Sequence, residues 1–141
     1  MTRYYIASGL ENAEQVKRVK AKLDAAGWEH TYDWTVHGSV QKEGAERIAK
    51  VAAAEAEGVA AAEVVIVLLP GGRGTHTELG MALALREIDS DAEPRVCIYS
   101  PDAERDFGTG GTTCAFYHHP NVERFSGDLD EMISTLLGEI Q

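Results

Sequence analysis

The chain has 141 residues, of which 44% are hydrophobic, and this is enough for one domain with a substantial buried core. Its formal net charge of -10, from 23 acidic and 13 basic residues, repels phosphate backbones, so DNA, RNA and anionic membranes are excluded as expected partners. Cys97 and Cys114 lie in apolar surroundings typical of reduced thiols, and neither a signal peptide nor a membrane-length apolar run is recognisable, so we expect a cytoplasmic protein.

The first part of the chain predicts a strand followed by a helix. The strand is the apolar run Tyr4–Ala7, which ends at Ser8–Gly9. Asn12 with Gln15 three residues later fits a capping box at the start of the helix. Apolar residues then recur at helical spacing as far as Gly27, which we expect to end the helix.

The middle of the chain predicts two strands separated by a long helix. Trp28–Trp34, rich in aromatic residues and threonine, is the second strand, and Glu43–Ala61 is the helix. The apolar side of this helix is formed by Ile48, Val51, Ala52 and Val59. Val64–Leu69 is apolar on both faces, as in a central parallel strand covered by helices on both sides. A further helix begins near Thr77.

The last part of the chain predicts two more strands and a closing helix. Arg95–Tyr99 is the fourth strand, and the glycine-rich stretch Ser100–Thr113 is a mobile loop that could act as a lid. Cys114–Tyr117 is the fifth strand, and a helix follows Ser126. The apolar stripe of this last helix is Leu129, Met132, Ile133, Leu136, Leu137 and Ile140.

Alternating strands and helices of this kind predict a single α/β domain over residues 1–141. Five strands with about four helices favour a flavodoxin-like or Rossmann-like doubly wound parallel sheet of strand order 2-1-3-4-5. In such a sheet, ligands bind beyond the carboxyl ends of the strands, where the first and third strands diverge. The binding site is therefore expected where Ser8 and Gly9 meet the loop Pro70–Glu78.

The loop Pro70–Glu78 is rich in glycine and leads into a helix, so its N–H groups and the helix dipole favour an anion or oxyanion. Even in an acidic protein, such a local pocket can bind a small anion. Glycine lets the backbone approach a ligand closely. The predicted substrate-binding residues of this loop are Gly71, Gly72, Gly74 and Thr75.

Glu78 has two compatible interpretations. Thr75-x-x-Glu78 fits a capping box, and a glutamate in the first helical turn gains about 0.3–1 kcal/mol from the dipole. A carboxylate held at a helix start is also kept ionised, as nucleophilic attack on the anomeric carbon of a sugar requires. Gly80, one turn into the helix, destabilises it by about 1 kcal/mol relative to alanine, which predicts close packing against that turn.

Two families resemble the sequence at this loop. Pro70–Glu78 (P-G-G-R-G-T-H-T-E) matches the P-G-G-x-G-T-x-x-E motif of the "lonely guy" phosphoribohydrolases. The longer span Val64–Ala84, with E-L-G at Glu78, resembles the nucleoside 2-deoxyribosyltransferase family, and Tyr4–Gly9 is similar to the start of that family. Length and layout favour the second family, because lonely-guy proteins are longer and carry a further glycine-rich segment before the loop.

The second resemblance implies that Glu78 attacks C1′ of a nucleoside sugar and releases the base, and that the glycosyl-enzyme passes to a second base or to water. It also implies that Tyr5, which matches a family tyrosine on the first strand, orients Glu78 by a hydrogen bond; a core aromatic is the alternative. The family usually carries an aspartate six residues before the nucleophile, where this chain has Gly72. Base recognition must therefore differ, and the glycines favour a nucleoside 5′-monophosphate that water hydrolyses.

Asp33 and Trp34, at the end of the second predicted strand, are candidates for the acid that protonates the departing base and for a ring that stacks on it. The alternatives are a loop aspartate and a half-buried aromatic residue. Cys114, His118 and His119 match no common zinc site, so we expect no metal, and no cofactor motif is present.

The expected partner is therefore a small nucleoside or nucleotide. In the resembling family, the region around His118–Pro120 can reach the site of a neighbouring subunit, and the alanine-rich helix Glu43–Ala61 could pack on a second copy. We accordingly expect a homodimer or a higher homo-oligomer. The alternative function is a nucleotide-binding or nucleotide-sensing module without catalysis, since this kind of fold hosts many non-enzymes.

Overall fold

The computed structural model describes residues 1–138, and its centre is one parallel sheet of five strands. The strands are β1 (Arg3–Ser8), β2 (Glu29–His30), β3 (Val64–Leu68), β4 (Arg95–Ser100) and β5 (Val122–Ser126). Their order is β2-β1-β3-β4-β5, and every pair is parallel. The predicted fold class and strand order are thereby confirmed.

In the described part of the chain, five α-helices cover the sheet on both sides. They are α1 (Ala13–Ala25), α2 (Ala45–Ala61), α3 (Arg73–Ile88), α4 (Ala103–Phe107) and α5 (Leu129–Leu136). Helix α1 packs beside α5, and α2 packs beside α3. Within residues 1–138, no helix combines the length and the apolar character that crossing a bilayer requires.

The core follows from the apolar spacing of the sequence. All five residues of β3 are buried, as expected for a strand between two helical layers. In α1, Val16, Val19 and Leu23 are fully buried at helical spacing, and Gly27 follows the helix with φ of 87°. Each fully buried aliphatic side chain contributes roughly 1.5–3 kcal/mol, so this stripe fixes α1 on the sheet.

The second predicted strand is wrong in length. Only Glu29–His30 pair with β1, whereas Trp28–Trp34 was expected. The chain leaves the sheet after His30 and forms a 3-10 turn, Trp34–Val36, in which the Asp33 carboxylate accepts from the Thr35 N–H. The Trp34 indole N–H donates to the Ile6 carbonyl over 2.8 Å, so tertiary contacts outweigh the β propensity of this aromatic segment.

The fifth predicted strand is misplaced. The 3-10 helix Ala115–His118 overlaps the predicted strand Cys114–Tyr117, and the strand itself is Val122–Ser126. The edge strand is only partly buried, so its sequence carries a weaker apolar signal. Tyr117 instead packs edge-on against Phe107 of α4.

Three further boundaries differ from the sequence predictions. Asn12 makes no capping bond and donates to the Ser8 hydroxyl over 3.0 Å, so the capping box is wrong. Helix α3 begins at Arg73 rather than near Thr77. The stretch predicted as a mobile loop after β4 contains α4, which Asp102 caps by accepting from the Arg105 N–H.

The remaining helices agree more closely with expectation. Helix α2 begins at Ala45, two residues after the predicted start, and buries Val51 and Val59, while Ile48 is partly exposed and Ala52 is exposed. Helix α5 carries the predicted apolar stripe, of which Ile140 lies outside the described residues.

Candidate active site

A cavity of about 530 Å³ lies beyond the carboxyl ends of β1 and β3. Its volume is within the range of small-ligand sites. The end of β1, the turn after β2, one face of α2 and the loop that begins α3 form its walls. Of the predicted site residues, the cavity is lined by Ser8, Gly9, Trp34, Gly71, Gly72, Gly74, Thr75 and Glu78.

Glu78 lies in the second turn of α3 and is only 7% exposed. Tyr5, fully buried in β1, donates its hydroxyl proton to Glu78 Oε2 over 2.7 Å. Thr75 is the third residue of the helix, and its hydroxyl accepts from the Gly72 N–H over 3.3 Å. The capping interpretation of Glu78 is therefore wrong, because the helix begins earlier and Glu78 faces the cavity.

A second carboxyl group, Glu55, meets Glu78 across the cavity from the middle of α2. The two carboxyl groups interact directly, and each shifts the pKa of the other. Glu55 was missed at the level of sequence, although a signal exists: it lies one turn after Val51 and one turn before Val59, within the buried stripe of α2. An acidic residue that interrupts an apolar stripe is a candidate for a functional site.

The two carboxyl groups hold one proton between them near neutral pH. Burial and the nearby Glu55 together raise the pKa of Glu78 to about 8, although the Tyr5 hydroxyl acts in the opposite direction. Burial also raises the pKa of Glu55. Tyr5 favours the ionised form of Glu78, whereas Glu55 raises the pKa of Glu78 and Glu78 lowers that of Glu55, so the last proton belongs to the pair and not to one carboxyl group. The expectation that the place of Glu78 at the helix start keeps its pKa low is therefore wrong, because burial raises this pKa.

Two hydrogen bonds fix the start of the glycine loop to the end of β1. The Ser8 hydroxyl donates to the Leu68 carbonyl over 2.6 Å, and the Gly9 N–H donates to the Pro70 carbonyl over 3.1 Å. A Cβ on Gly71 would lie 2.4 Å from the Thr75 side chain, so only glycine fits there. The backbone of Gly71 therefore packs directly against Thr75. At Gly72 and Gly74, by contrast, an added Cβ would have no atom within 4 Å.

Asp33 is not brought to Glu78. Its carboxylate accepts hydrogen bonds from the Thr35 N–H and hydroxyl, and it lines a separate cavity beside Lys17 and Lys20. Trp34 reaches the main cavity but is 5% exposed, so most of its ring is part of the wall. The early end of β2 explains both placements.

Two other expectations concern glycine and metal. Nothing lies within 4 Å of a Cβ placed on Gly80, so the prediction of close packing against that turn is wrong. Among residues 1–138, no group of three His, Cys, Asp or Glu side chains could hold a metal ion. His118 instead contacts the Thr113 hydroxyl over 2.9 Å, and His119 contacts Glu87 over 3.1 Å.

The raised pKa of the carboxyl pair predicts a pH dependence of folding. A carboxyl group that binds its proton more tightly when folded stabilises the fold below its ordinary pKa, and this contribution disappears as the pH rises through the folded value. For Glu78 the window runs from about 4.5 to about 8. At pH 9 we expect the free energy of unfolding of Glu78→Gln to exceed that of wild type by about 2 kcal/mol, because the amide carries no buried charge. At pH 4 we expect no such difference.

Urea unfolding from pH 4 to pH 9 measures this difference. The matched control is Glu57→Gln, because Glu57 is exposed on α2 and its loss should leave the pH profile of stability unchanged. If the free energy of unfolding depends on pH equally in wild type and in Glu78→Gln, the raised pKa of Glu78 is wrong.

Comparisons with known proteins identify the family and the fold of the chain. The model of the nucleoside 2-deoxyribosyltransferase family matches residues 4–119. The solved structure of the CMP N-glycosidase BcmB from Clostridium botulinum has the same fold, with a TM-score of 0.54 and 16% sequence identity over 95% of this chain and 97% of that chain. No curated protein matches the chain. Because the family model covers most of the sequence, the chain is an enzyme of the nucleoside 2-deoxyribosyltransferase family, acting at an N-glycosidic bond.

Proposed function

We propose that this enzyme hydrolyses the N-glycosidic bond of a nucleoside 5′-monophosphate through a covalent intermediate on Glu78. The observation that carries the proposal is the pair formed by the buried Glu78 and the half-buried Glu55, both with raised pKa; because Tyr5 donates to Glu78, we place the last proton of the pair on Glu55. One carboxylate and one carboxylic acid are the two groups that glycosidic cleavage requires.

In the first step, the ionised Glu78 attacks C1′ of the sugar. The bond from C1′ to the base nitrogen breaks, its electron pair stays with the base, and Glu55 gives its proton to the base. In the second step, water attacks C1′, Glu55 accepts the proton of that water, and Glu78 leaves as a carboxylate. Both groups then regain their starting protonation states.

The spacing of the carboxyl groups supports this double displacement. Enzymes that invert the anomeric centre place a water molecule between two carboxyl groups about 6.5–9.5 Å apart. Glu55 and Glu78 instead interact directly with each other. Direct attack by Glu78 is therefore the geometry that the pair favours.

The preference for a 5′-monophosphate is supported by the loop that begins α3. Gly72 and Gly74 leave open space in the cavity, and the N–H groups of a helix start attract an anion. Arg73, the first residue of α3, adds a positive charge to the same wall. The structural relative, whose name describes it as a CMP N-glycosidase, also acts on a nucleotide.

A panel of nucleosides and 5′-monophosphates, with ribose and deoxyribose, tests the proposal when base release is followed by chromatography with and without an acceptor base. We expect free base from the monophosphates, with kcat/KM about 100-fold higher than for the nucleosides, since charged hydrogen bonds contribute about 1.5–3 kcal/mol each. A new nucleoside in the presence of the acceptor would instead identify a transferase. A ligand that binds and stays intact would favour the sensing module, which has no need of two paired carboxyl groups.

We also propose a cytoplasmic homodimer or higher homo-oligomer. Several apolar side chains remain exposed on the single chain: Met81, Ile88 and Phe116. Both cysteines are free. Sedimentation velocity measures the oligomeric state, and a monomer at micromolar concentration would contradict the proposed homo-oligomer. Cell fractionation tests the proposed cytoplasmic location.

A further inference from the structure

Helix α2 approaches the sheet very closely at Gly58. This residue is buried, three positions after Glu55. A Cβ on Gly58 would lie 2.9 Å from the Cβ of Tyr32 and 3.0 Å from Cδ2 of Tyr5, closer than side chains normally approach. Glycine weakens a helix interior, and here it has a steric reason: any side chain would collide with the two tyrosines.

A hydrogen bond fastens the same turn of α2. The Thr31 hydroxyl donates to the Gly58 carbonyl over 2.7 Å. Gly58 supplies one of the last four carbonyl groups of α2, which have no partner within the helix itself. Thr31 immediately follows β2, so the bond ties the end of the helix to the edge of the sheet.

We propose that this contact holds Glu55 against Glu78, and that Gly58 and Thr31 are positioning residues for the reaction. The proposal rests on the proposed function, because it assumes that the two carboxyl groups act as one pair. Neither residue lines the cavity, so neither touches the substrate. A wider separation of α2 from β1 would move Glu55 away while leaving the glycine loop of the substrate site in place.

The charged and titratable groups that face the pair come from each neighbouring element. Tyr5 donates to Glu78 from β1, Tyr32 packs against α2, and His37 lies close enough to favour the ionised form of Glu55. The Tyr32 hydroxyl bonds to the His37 ring over 2.7 Å, so both are held beside the cavity. If α2 moves outward, mutual repulsion within the pair falls and Glu55 gains water, so the pKa values of both carboxyl groups should fall toward the ordinary glutamate value.

The first test is Gly58→Ala. We expect kcat to fall about 100-fold, as misplacement of a catalytic group by about 1 Å can cause, with KM changed less than about threefold. The alkaline limb of the profile of kcat against pH should move to lower pH. Carbon-13 NMR of labelled glutamate carboxyl carbons should show that the raised pKa values of the pair move toward those of the exposed glutamates.

A second variant guards against misfolding of the first. Thr31→Val removes the hydroxyl donor without adding bulk beside Tyr5, and it should shift both the pH profile and the NMR titration in the same direction as Gly58→Ala, by a smaller amount. Thr31→Ser keeps the donor and should behave as wild type. Gly80→Ala is the matched glycine control, because nothing surrounds a Cβ at that helical position, and it should leave activity and titration unchanged.

Each outcome decides the proposal. If folded Gly58→Ala keeps wild-type kcat and wild-type carboxyl titration, the positioning role is wrong. If Gly58→Ala does not fold, unchanged titration in Thr31→Val overturns it. If wild type cleaves no nucleoside or nucleotide, the proposed function fails, whereas the NMR titration still tests whether Gly58 and Thr31 hold the two carboxyl groups together.

Discussion

Glu78→Gln is expected to lower the rate of base release by about 10⁴- to 10⁶-fold, the loss typical of removing one member of a catalytic unit. The amide has nearly the same size and can still accept a hydrogen bond from Tyr5, so the cavity should keep its shape. It cannot attack C1′, because a neutral amide oxygen is a weak nucleophile. Single-turnover measurement of base release from the best 5′-monophosphate of the panel gives the rate directly.

Mass spectrometry of the intact protein identifies the intermediate. A substrate with fluorine at the 2′ position slows both steps, because fluorine destabilises the positive charge that develops on the sugar. With a good leaving base, wild type should accumulate a sugar phosphate adduct on Glu78, and Glu78→Gln should show none. An adduct-free wild type that still releases base from this substrate would exclude the covalent route.

The second large effect is expected for Glu55→Gln. Loss of a general acid lowers kcat by about 10²- to 10⁴-fold when the departing base needs a proton. The effect should be small for a nucleotide whose purine is methylated at N7, because that base already carries a positive charge and leaves without protonation. Comparing the two substrates therefore separates loss of the acid from general damage to the site.

The pH profile gives an independent measure of the same role. Wild type should lose activity on the alkaline side near pH 8, where the pair gives up its last proton, since burial holds the pKa of Glu78 at about that value and the two groups share one proton. Glu55→Gln should lack this alkaline limb. Asp33→Asn is the matched control, because Asp33 caps a turn beside another cavity, and full loss of activity in that variant would restore Asp33 as the acid.

The fold was largely predictable because its strongest signals are local. Val64–Leu69 is apolar on both faces, which only a covered central strand tolerates, and α1 shows its buried stripe at helical spacing. The edge strands β2 and β5 were predicted poorly. A strand that is paired on one side and only partly buried has a weak apolar pattern, so neighbouring turns and tertiary contacts decide its limits.

The sequence alone determined the fold class, the glycine loop and the prominence of Glu78, because a glycine-rich turn between a strand and a helix is a local pattern. The tertiary structure alone decided the partner of Glu78. Glu55 lies 23 positions earlier on another helix, and only the crossing of α2 over β1, which Gly58 allows, brings the two carboxyl groups together. It also decided their pKa values, since burial depends on the whole fold and not on the residues beside each carboxyl group in the chain.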